Sequence, residues 1–506
     1  MSSINFGGLV DVQVTRRPEK AAIVTREGTW TYRRLHEAVH ALAARLADDG
    51  VGQGDRVALL GYNSKEYVAA LLAVYRLGAI AVPINYRLQR DELRHLVADS
   101  GACAALVDRD LVGDLEAATA TGAFRTRICL DGDGPEGWSP FASVVEEEAG
   151  RTVPLTALGH DSVQRIMYTS GTTSRPKGVM VTHGMSLLNV AVSASELALH
   201  ADDTIMITSP LYHVAAMDAP GLNTLFVGGT LVLMRKFDAR LAIEMMVENR
   251  VTGGIFVQSI LHAIRDADQG SDLSSVRWMM FGAASGELYA DIRRRFPTTR
   301  LIQSYGMTEA CSMIACISEA MAESKYGTVG TAVPYVEYKV VDWRDEEVPR
   351  GQAGEVLLRG PKITPGYWGD DQRTAEAMRG GWFHTGDVGV VDEDGFLSIT
   401  DRLKDMIRSG GENVASSEIE RVIYELGGVQ EVAVIGVPDP TWQEVPKAYV
   451  VPKPGAALTE QELIDHCRSR LASFKTPKHV AFLDSLPRNP SGKVLKTRLR
   501  KDSVDA

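Results

Sequence analysis

The sequence predicts an α/β protein in two parts. A large N-terminal domain of layered α/β sheets carries a β-barrel-like subdomain at its end, and a small α+β domain closes the chain. Three observations predict this. Helix-period segments alternate with short apolar runs as far as about Val329, the pattern of α/β layers with mainly parallel strands. Beyond Val329 the strands shorten and are broken by Gly, Pro and acidic turns, as in VGTAVPYVEYKVVD, GEVLLRG and GFLSITD. After Thr400 a charged stretch, DRLKDMIRSGGEN, opens a tail of different texture, which sets the expected boundary between a domain at 1–400 and one at 401–506. A chain of 506 residues exceeds one ordinary domain.

In chain order, Leu35, Val39, Leu42 and Leu46 recur at helical spacing. RVALLG (56–61) reads as a buried strand and YVAALLAVYRLG (67–78) as a helix. TIMITSP (204–210), GTLVLM (229–234), GGIFVQ (253–258) and WMMFGAA (278–284) read as buried strands, with AIEMMVENR (242–250) helical among them. RLIQS (300–304) is a strand that ends before YGMTE. In the tail, Ser417 and Glu420 stand at the spacing of a capping box, and strand, strand, helix and strand follow.

Composition excludes several classes. Hydrophobic content of 45% with 24% charged residues describes a globular protein with a large core. A net charge of −11 disfavours generic nucleic-acid or anionic-membrane binding, so an anionic substrate has to be held by local positive groups. Five scattered cysteines without a CxxC pair fit neither a disulfide framework nor a zinc site, and are expected of a reducing cytoplasm. The start, MSSINFGGLVDV, has no secretory pattern, and no apolar run is long enough for a membrane span.

The richest segment is YTSGTTSRPKGV (168–179). The hydroxyls of Thr169, Ser170, Thr172 and Thr173, the free backbone of Gly171 and the point charge of Lys177 suit a loop that grips polyphosphate. A flexible Ser/Thr-rich surface loop has the same composition, so the rest of the chain decides. YGMTE (305–309) follows a strand, where open α/β sheets bind ligands. There Tyr305 suits a nucleobase, Thr308 a phosphate and Glu309 Mg²⁺. WFHTGDVG (382–389) puts Asp387 in a Gly-flanked turn, where a carboxylate can accept from a ribose diol. PRNPSGKVLK (487–496) puts Lys493 in a Pro/Gly/Ser loop.

These motifs, in this order and together with WTYRRL (30–35) and GAIAVPIN (78–85), resemble the adenylate-forming superfamily of acyl-CoA synthetases, peptide-synthetase adenylation domains and firefly luciferase over nearly the whole chain. The resemblance implies two half-reactions: a carboxylate and ATP give an acyl-adenylate and pyrophosphate, then a thiol, usually of coenzyme A, displaces AMP. It also implies that the small domain is mobile and rotates between the steps.

Carried over by motif, Thr169 to Lys177 hold the β- and γ-phosphates, and Thr308 and Glu309 meet the α-phosphate and Mg²⁺. Tyr305 and the backbone of Gly282, Ala283 and Ala284 frame the adenine, and Asp387 and Arg402 hold the ribose. Lys493 offsets the repulsion between carboxylate and phosphate during adenylation. Lys404 is the hinge, Gly411 lines the pantetheine tunnel and His213 stands where acyl pocket and thiol tunnel meet. Trp442, Phe474 and Lys478 fall where aryl-CoA ligases touch the CoA nucleotide.

The chain departs from the pattern at Ser174, Val214-Ala215-Ala216 and Gln443, where relatives have glycine, and at Gln258, where many have proline. The leading expectation is an ATP-dependent acid–CoA ligase for an aromatic or medium-sized apolar acid, Met307, Met313 and Ala283 being apolar pocket candidates. Ser174 motivates an alternative, an enzyme that only converts a supplied acyl-adenylate to the thioester; intact Lys493 argues against it. Amino-acid adenylation is disfavoured because Tyr212-His213 lacks the ammonium-pairing Asp. With Ala506 soon after Lys493, no built-in carrier domain is expected; a free-standing carrier protein and a homodimer stay open. A non-catalytic nucleotide or acyl-CoA sensor is disfavoured by the joint presence of Glu309, Asp387, Lys404, Gly411 and Lys493, and nothing favours a luciferase-type oxygenase.

Overall fold

The computed structural model describes residues 4–120, 122–169, 176–282, 286–317, 321–409, 412–488 and 494–504. The chain divides into two compact units, one of Met1–Tyr338 and Leu358–Phe383, the other of Lys339–Leu357 and His384–Ala506.

The first unit is built on two sheets. In the nine-stranded sheet, Arg300–Met307, Trp278–Phe281, Gly253–Ile255, Thr204–Ile207, Thr230–Leu233 and Ala21–Thr25 run parallel to their neighbours, and antiparallel strands lie at both edges. The seven-stranded sheet runs Ser139–Pro140, Thr126–Cys129, Ala104–Val107, Arg56–Leu60, Ile80–Ile84, Val163–Thr169 and Lys177–Thr182, parallel until the last pair. The cores of the strands that sequence read as buried are buried, because crossover helices such as Lys65–Arg76 and Ala239–Glu248 cover them. The strand expected over 253–258, however, ends at Ile255; Val257 is exposed and Gln258 starts a helix. Ser64 and Asp238 cap those two helices through their side chains. One core packs Ala239–Glu248, Gln258–Ala267 and Gly286–Arg295 on the nine-stranded sheet through Met245, Ile264, Ile292 and their neighbours.

The strand Arg300–Met307 runs three residues beyond its expected end, so Tyr305 lies on it and not after it. Its pairing with Ser312–Cys316 shifts register between Tyr305 and Gly306. Glycine is required there, because a Cβ on Gly306 would stand 2.3 Å from the Ser312 carbonyl oxygen.

Most of the four-stranded sheet, Glu337–Val341, Ala353–Arg359, Phe383–Val391 and Leu397–Arg402, belongs to the second unit. The tail builds a second sheet there, in which Val429–Asp439 and Gln443–Pro452 form a long antiparallel pair and His479–Phe482 adds in parallel. The expected strand, strand, helix, strand order is present, with Glu460–Arg468 as the helix, and a further helix spans Lys496–Val504. The capping box expected at Ser417 and Glu420 does not form. The helix starts at Ser416, and Asp401 from the strand Leu397–Arg402 accepts the Ser416 N–H at 2.5 Å. Glu420 is engaged instead by the Val434 N–H at 2.8 Å and the Lys496 ammonium at 2.7 Å. A partner distant in sequence has displaced the local one.

Candidate active site

In the first unit the site begins at a hairpin. Val163–Thr169 and Lys177–Thr182 pair antiparallel, and the Thr169–Lys177 pair closes it. Ser170, Gly171, Thr172, Thr173 and Ser174 lie outside the described residues. The Thr169 hydroxyl is buried without a partner among the described residues, a donor held ready at the base of the loop.

Lys177 reaches from the hairpin to Glu309. Its ammonium is 2.9 Å from Glu309 Oε1, donates to the Tyr367 hydroxyl at 2.6 Å and lies 4.3 Å from the centre of that ring. The Tyr367 hydroxyl in turn donates to Glu309 Oε1 at 3.3 Å. Burial, and then the Glu309 charge, pushes the Tyr367 phenol well above its usual range, so it stays a donor. Backbone pairing places Tyr367: Val179 bridges to it, the Met180 N–H donates to Gly366 at 3.1 Å and the Trp368 N–H donates to Gly178 at 2.8 Å. Glu309 sits on a single turn, Thr308–Ala310, that follows the strand, and its main-chain carbonyl accepts the Thr364 N–H at 2.7 Å. Only 5% of Glu309 is exposed, so this charge depends on its cation and hydroxyl partners.

Tyr305 is half-buried on its strand, two strands from Gly253–Ile255, and Gly282 follows Trp278–Phe281 beside it. Ala283 and Ala284 lie outside the described residues. Thr308 is buried next to Glu309.

His213 caps the short turn Val214–Ala216, its Nδ1 accepting the Ala215 N–H at 3.2 Å. That contact leaves Nε2 as the protonated nitrogen of the neutral ring. The residue is exposed on its surface side, and the protein around the ring lowers its pKa by desolvation. Asn63 fixes the preceding loop by accepting the Leu211 N–H at 2.7 Å and donating to Ser209 at 3.0 Å.

A small core of Met167, Val181, Met185, Val214 and Cys311 joins these parts; Met167, Val181, Val214 and Cys311 each lie within four residues of Thr169, Lys177, His213 or Glu309. Next to it lies a fully buried polar layer. Arg165 pairs with Asp218 at 2.5 Å, with exposures of 0% and 2%. Lys362 donates to Asn189 Oδ1 at 2.6 Å and to the Met313 carbonyl at 3.1 Å, and burial lowers its pKa to about 8. Sequence reasoning missed Tyr367, Arg165, Asp218, Lys362 and Asn63.

In the second unit, Asp387 and Arg402 are cross-strand partners, with Arg402 Nε 2.5 Å from Asp387 Oδ1. The Asp387 N–H donates to Thr385 Oγ1 at 3.0 Å, which orients a carboxylate that is 3% exposed. Lys404 stands exposed in the turn after Arg402, between Asp401, held by Ser416, and Asp405, held by Arg500 at 2.8 Å. Trp442 is 49% exposed. Gln443 has φ = +70°, in the left-handed region that favours glycine. Phe474 packs on the core of this unit, and Lys478 is exposed, its N–H donating to Pro446 at 2.9 Å. Gly411 and Lys493 lie outside the described residues.

Residues 10–368 match the AMP-binding enzyme family and residues 418–493 the AMP-binding enzyme C-terminal domain. The chain is similar to a feruloyl-CoA synthase of Amycolatopsis sp., 39% identical with 97% of each chain covered. It is also similar to the indoleacetate–CoA ligase of Aromatoleum aromaticum, 37% identical with 97% of each covered. Among solved structures it resembles the O-succinylbenzoate coenzyme A synthetase of Bacillus subtilis in complex with ATP and magnesium ion, at a TM-score of 0.87 and 29% identity, covering 97% of this chain and 99% of that one. With both family regions matched in order on a fold that brings Lys177 to Glu309, the chain belongs to the AMP-binding enzyme family of adenylate-forming ligases.

Proposed function

We propose that this enzyme activates a carboxylic acid with ATP to an acyl-adenylate and then transfers the acyl group to coenzyme A, releasing AMP. The observation that carries the proposal is the Lys177–Glu309–Tyr367 contact. It joins a cation suited to phosphate to a buried carboxylate suited to a metal. Glu309 offers carboxylate oxygens beside the Tyr367 hydroxyl, an all-oxygen setting that fits Mg²⁺. When bound, Mg²⁺ would neutralise phosphate charge in the transition state.

The residues then have these roles. Lys177 turns from Glu309 to the outer phosphates. Thr169 and Thr308 donate to phosphate oxygens, and Tyr305 packs on the adenine beside Gly282. Asp387, oriented by Thr385 and Arg402, accepts from the ribose hydroxyls. Attack of a carboxylate oxygen on the α-phosphorus breaks its bond to the bridging oxygen, and pyrophosphate leaves. Lys493 stabilises the charge shared by the two anions. We assign residues 401–506 as the mobile domain, Lys404 as its hinge, and Gly411, Trp442, Phe474 and Lys478 to the CoA path. Coenzyme A is the acceptor; a free-standing carrier thiol is the competing one.

Lys493→Ala separates the full ligase from an enzyme of the second half-reaction alone. Synthesis from free acid and ATP is expected to be lost, while thioester formation from a supplied acyl-adenylate continues. Undiminished synthesis from free acid in the variant would contradict the role given to Lys493.

A further inference from the structure

The segment that leads into Asp387 is held by a carboxylate from the neighbouring strand. Glu355, on Ala353–Arg359, accepts the Gly386 N–H with Oε1 at 3.0 Å, and its Oε2 lies 3.0 Å from His384 Nδ1. A carboxylate only accepts, so Nδ1 carries the proton and donates. One side chain thus grips the segment at both His384 and Gly386. The grip is sheltered, since the side chains of His384 and Glu355 are 5% and 11% exposed, and a charge-assisted hydrogen bond is stronger away from water.

The atoms held are those that aim Asp387. Gly386 stands at φ = +69°, a break in the strand Phe383–Val391 directly before Asp387. Thr385 accepts the Asp387 N–H and donates to the carbonyl of Val356, the residue after Glu355, at 2.7 Å. The Gly386 carbonyl accepts the Leu403 N–H at 2.8 Å, beside the Arg402 that pairs with Asp387. The other ring nitrogen, His384 Nε2, is buried without a hydrogen-bond partner among the described residues, 4.0 Å from Asp345 Oδ2. An imidazole kept here with one nitrogen unsatisfied acts through the other, by its bond to Glu355.

We infer that His384 and Glu355 are positioning residues, which fix this segment so that Asp387 meets the ribose diol and which thereby set the preference for a ribonucleotide. Neither touches a reacting atom. The inference rests on the ribose role given to Asp387 in the ligase reading.

The test measures equilibrium binding of ATP and of its 2′,3′-dideoxy analogue, with Mg²⁺, by calorimetry on the full chain. Wild type is expected to prefer ATP by about tenfold or more. His384→Asn puts an amide N–H where Nδ1 stood and is expected to keep that preference within about threefold. His384→Gln puts its amide where Nε2 stood and, like Glu355→Ala, is expected to lose most of the preference. The loss is expected in ATP binding, with binding of the dideoxy analogue unchanged, a pattern that a general loss of structure does not give. Thermal melts identify any variant that fails to fold, and the remaining ones still decide. A wild-type preference in folded His384→Gln and Glu355→Ala, or equal weakening of both nucleotides, would overturn the inference. So would a wild type that binds both nucleotides equally. In ATP–pyrophosphate exchange the same two variants are expected to raise KM for ATP by about tenfold with kcat within about twofold. If no acid supports exchange while nucleotide binding shows the stated dependence, the ligase reading fails and the positioning roles stand.

Discussion

Lys177, Glu309 and Tyr367 act as one unit because each satisfies the others in a partly desolvated place. A hydrogen bond to a charged group contributes about 1.5–3 kcal/mol, which corresponds to roughly 10- to 100-fold in rate. Glu309→Gln removes the charge that suits the metal and is expected to lower ATP–pyrophosphate exchange by about 100-fold or more. Tyr367→Phe keeps the ring and is expected to cost about tenfold. Exchange at the wild-type rate in Glu309→Gln would remove Glu309 from the site. Lys177 and Glu309 were legible in the sequence because their types suit phosphate and metal beside small or hydroxyl neighbours. Tyr367 was not, since a tyrosine in a Gly-Tyr-Trp turn carries no chemical pattern of its own. It enters through the backbone pairing of its segment with Gly178 to Met180.

Among the elements, the buried layer under the site fixes the strands that carry it. Arg165→Met leaves Asp218 charged and unpaired at 2% exposure, and is expected to cost about 3–5 kcal/mol in denaturant unfolding. The double variant Arg165→Met with Asp218→Leu is expected to recover much of that loss, because two apolar side chains replace a desolvated pair. A double variant no more stable than the single one would contradict this. Lys362 gives a pH signature. Its pKa falls from 10.5 to about 8 on folding, so between these values the unfolded chain holds a proton that the folded chain lacks. The stability of wild type relative to Lys362→Met is therefore expected to rise with pH from about 8 toward 10.5, and to be flat below 8. Melting curves of both proteins across that range check the sign.

The buried strands were legible at this level because continuous apolar runs such as Val57 to Leu60 have one reading between crossover helices. Element ends were not. The strand through Tyr305 is prolonged by its partner Ser312–Cys316, and the helix start at Ser416 is capped by Asp401 from another strand. Arg165 was not legible, since its partner Asp218 lies on a distant segment.

For the whole molecule, each unit holds its own part of the proposed chemistry: the phosphate and metal groups in the first, the ribose pair Asp387–Arg402 in the second. The order of motifs was readable because each is a short segment beside a strand end. The division into units was not, because Lys339–Leu357 belongs with the tail although it lies well before it in sequence. The central claim is that the chain starts from free acid. The direct measurement is acid-dependent ATP–pyrophosphate exchange by the full chain, with Mg²⁺ and without coenzyme A, over aromatic and medium-chain acids. Exchange with at least one such acid, lost in Glu309→Gln, is the predicted result. No exchange with any acid, while supplied acyl-adenylates are converted to CoA thioesters, would contradict it.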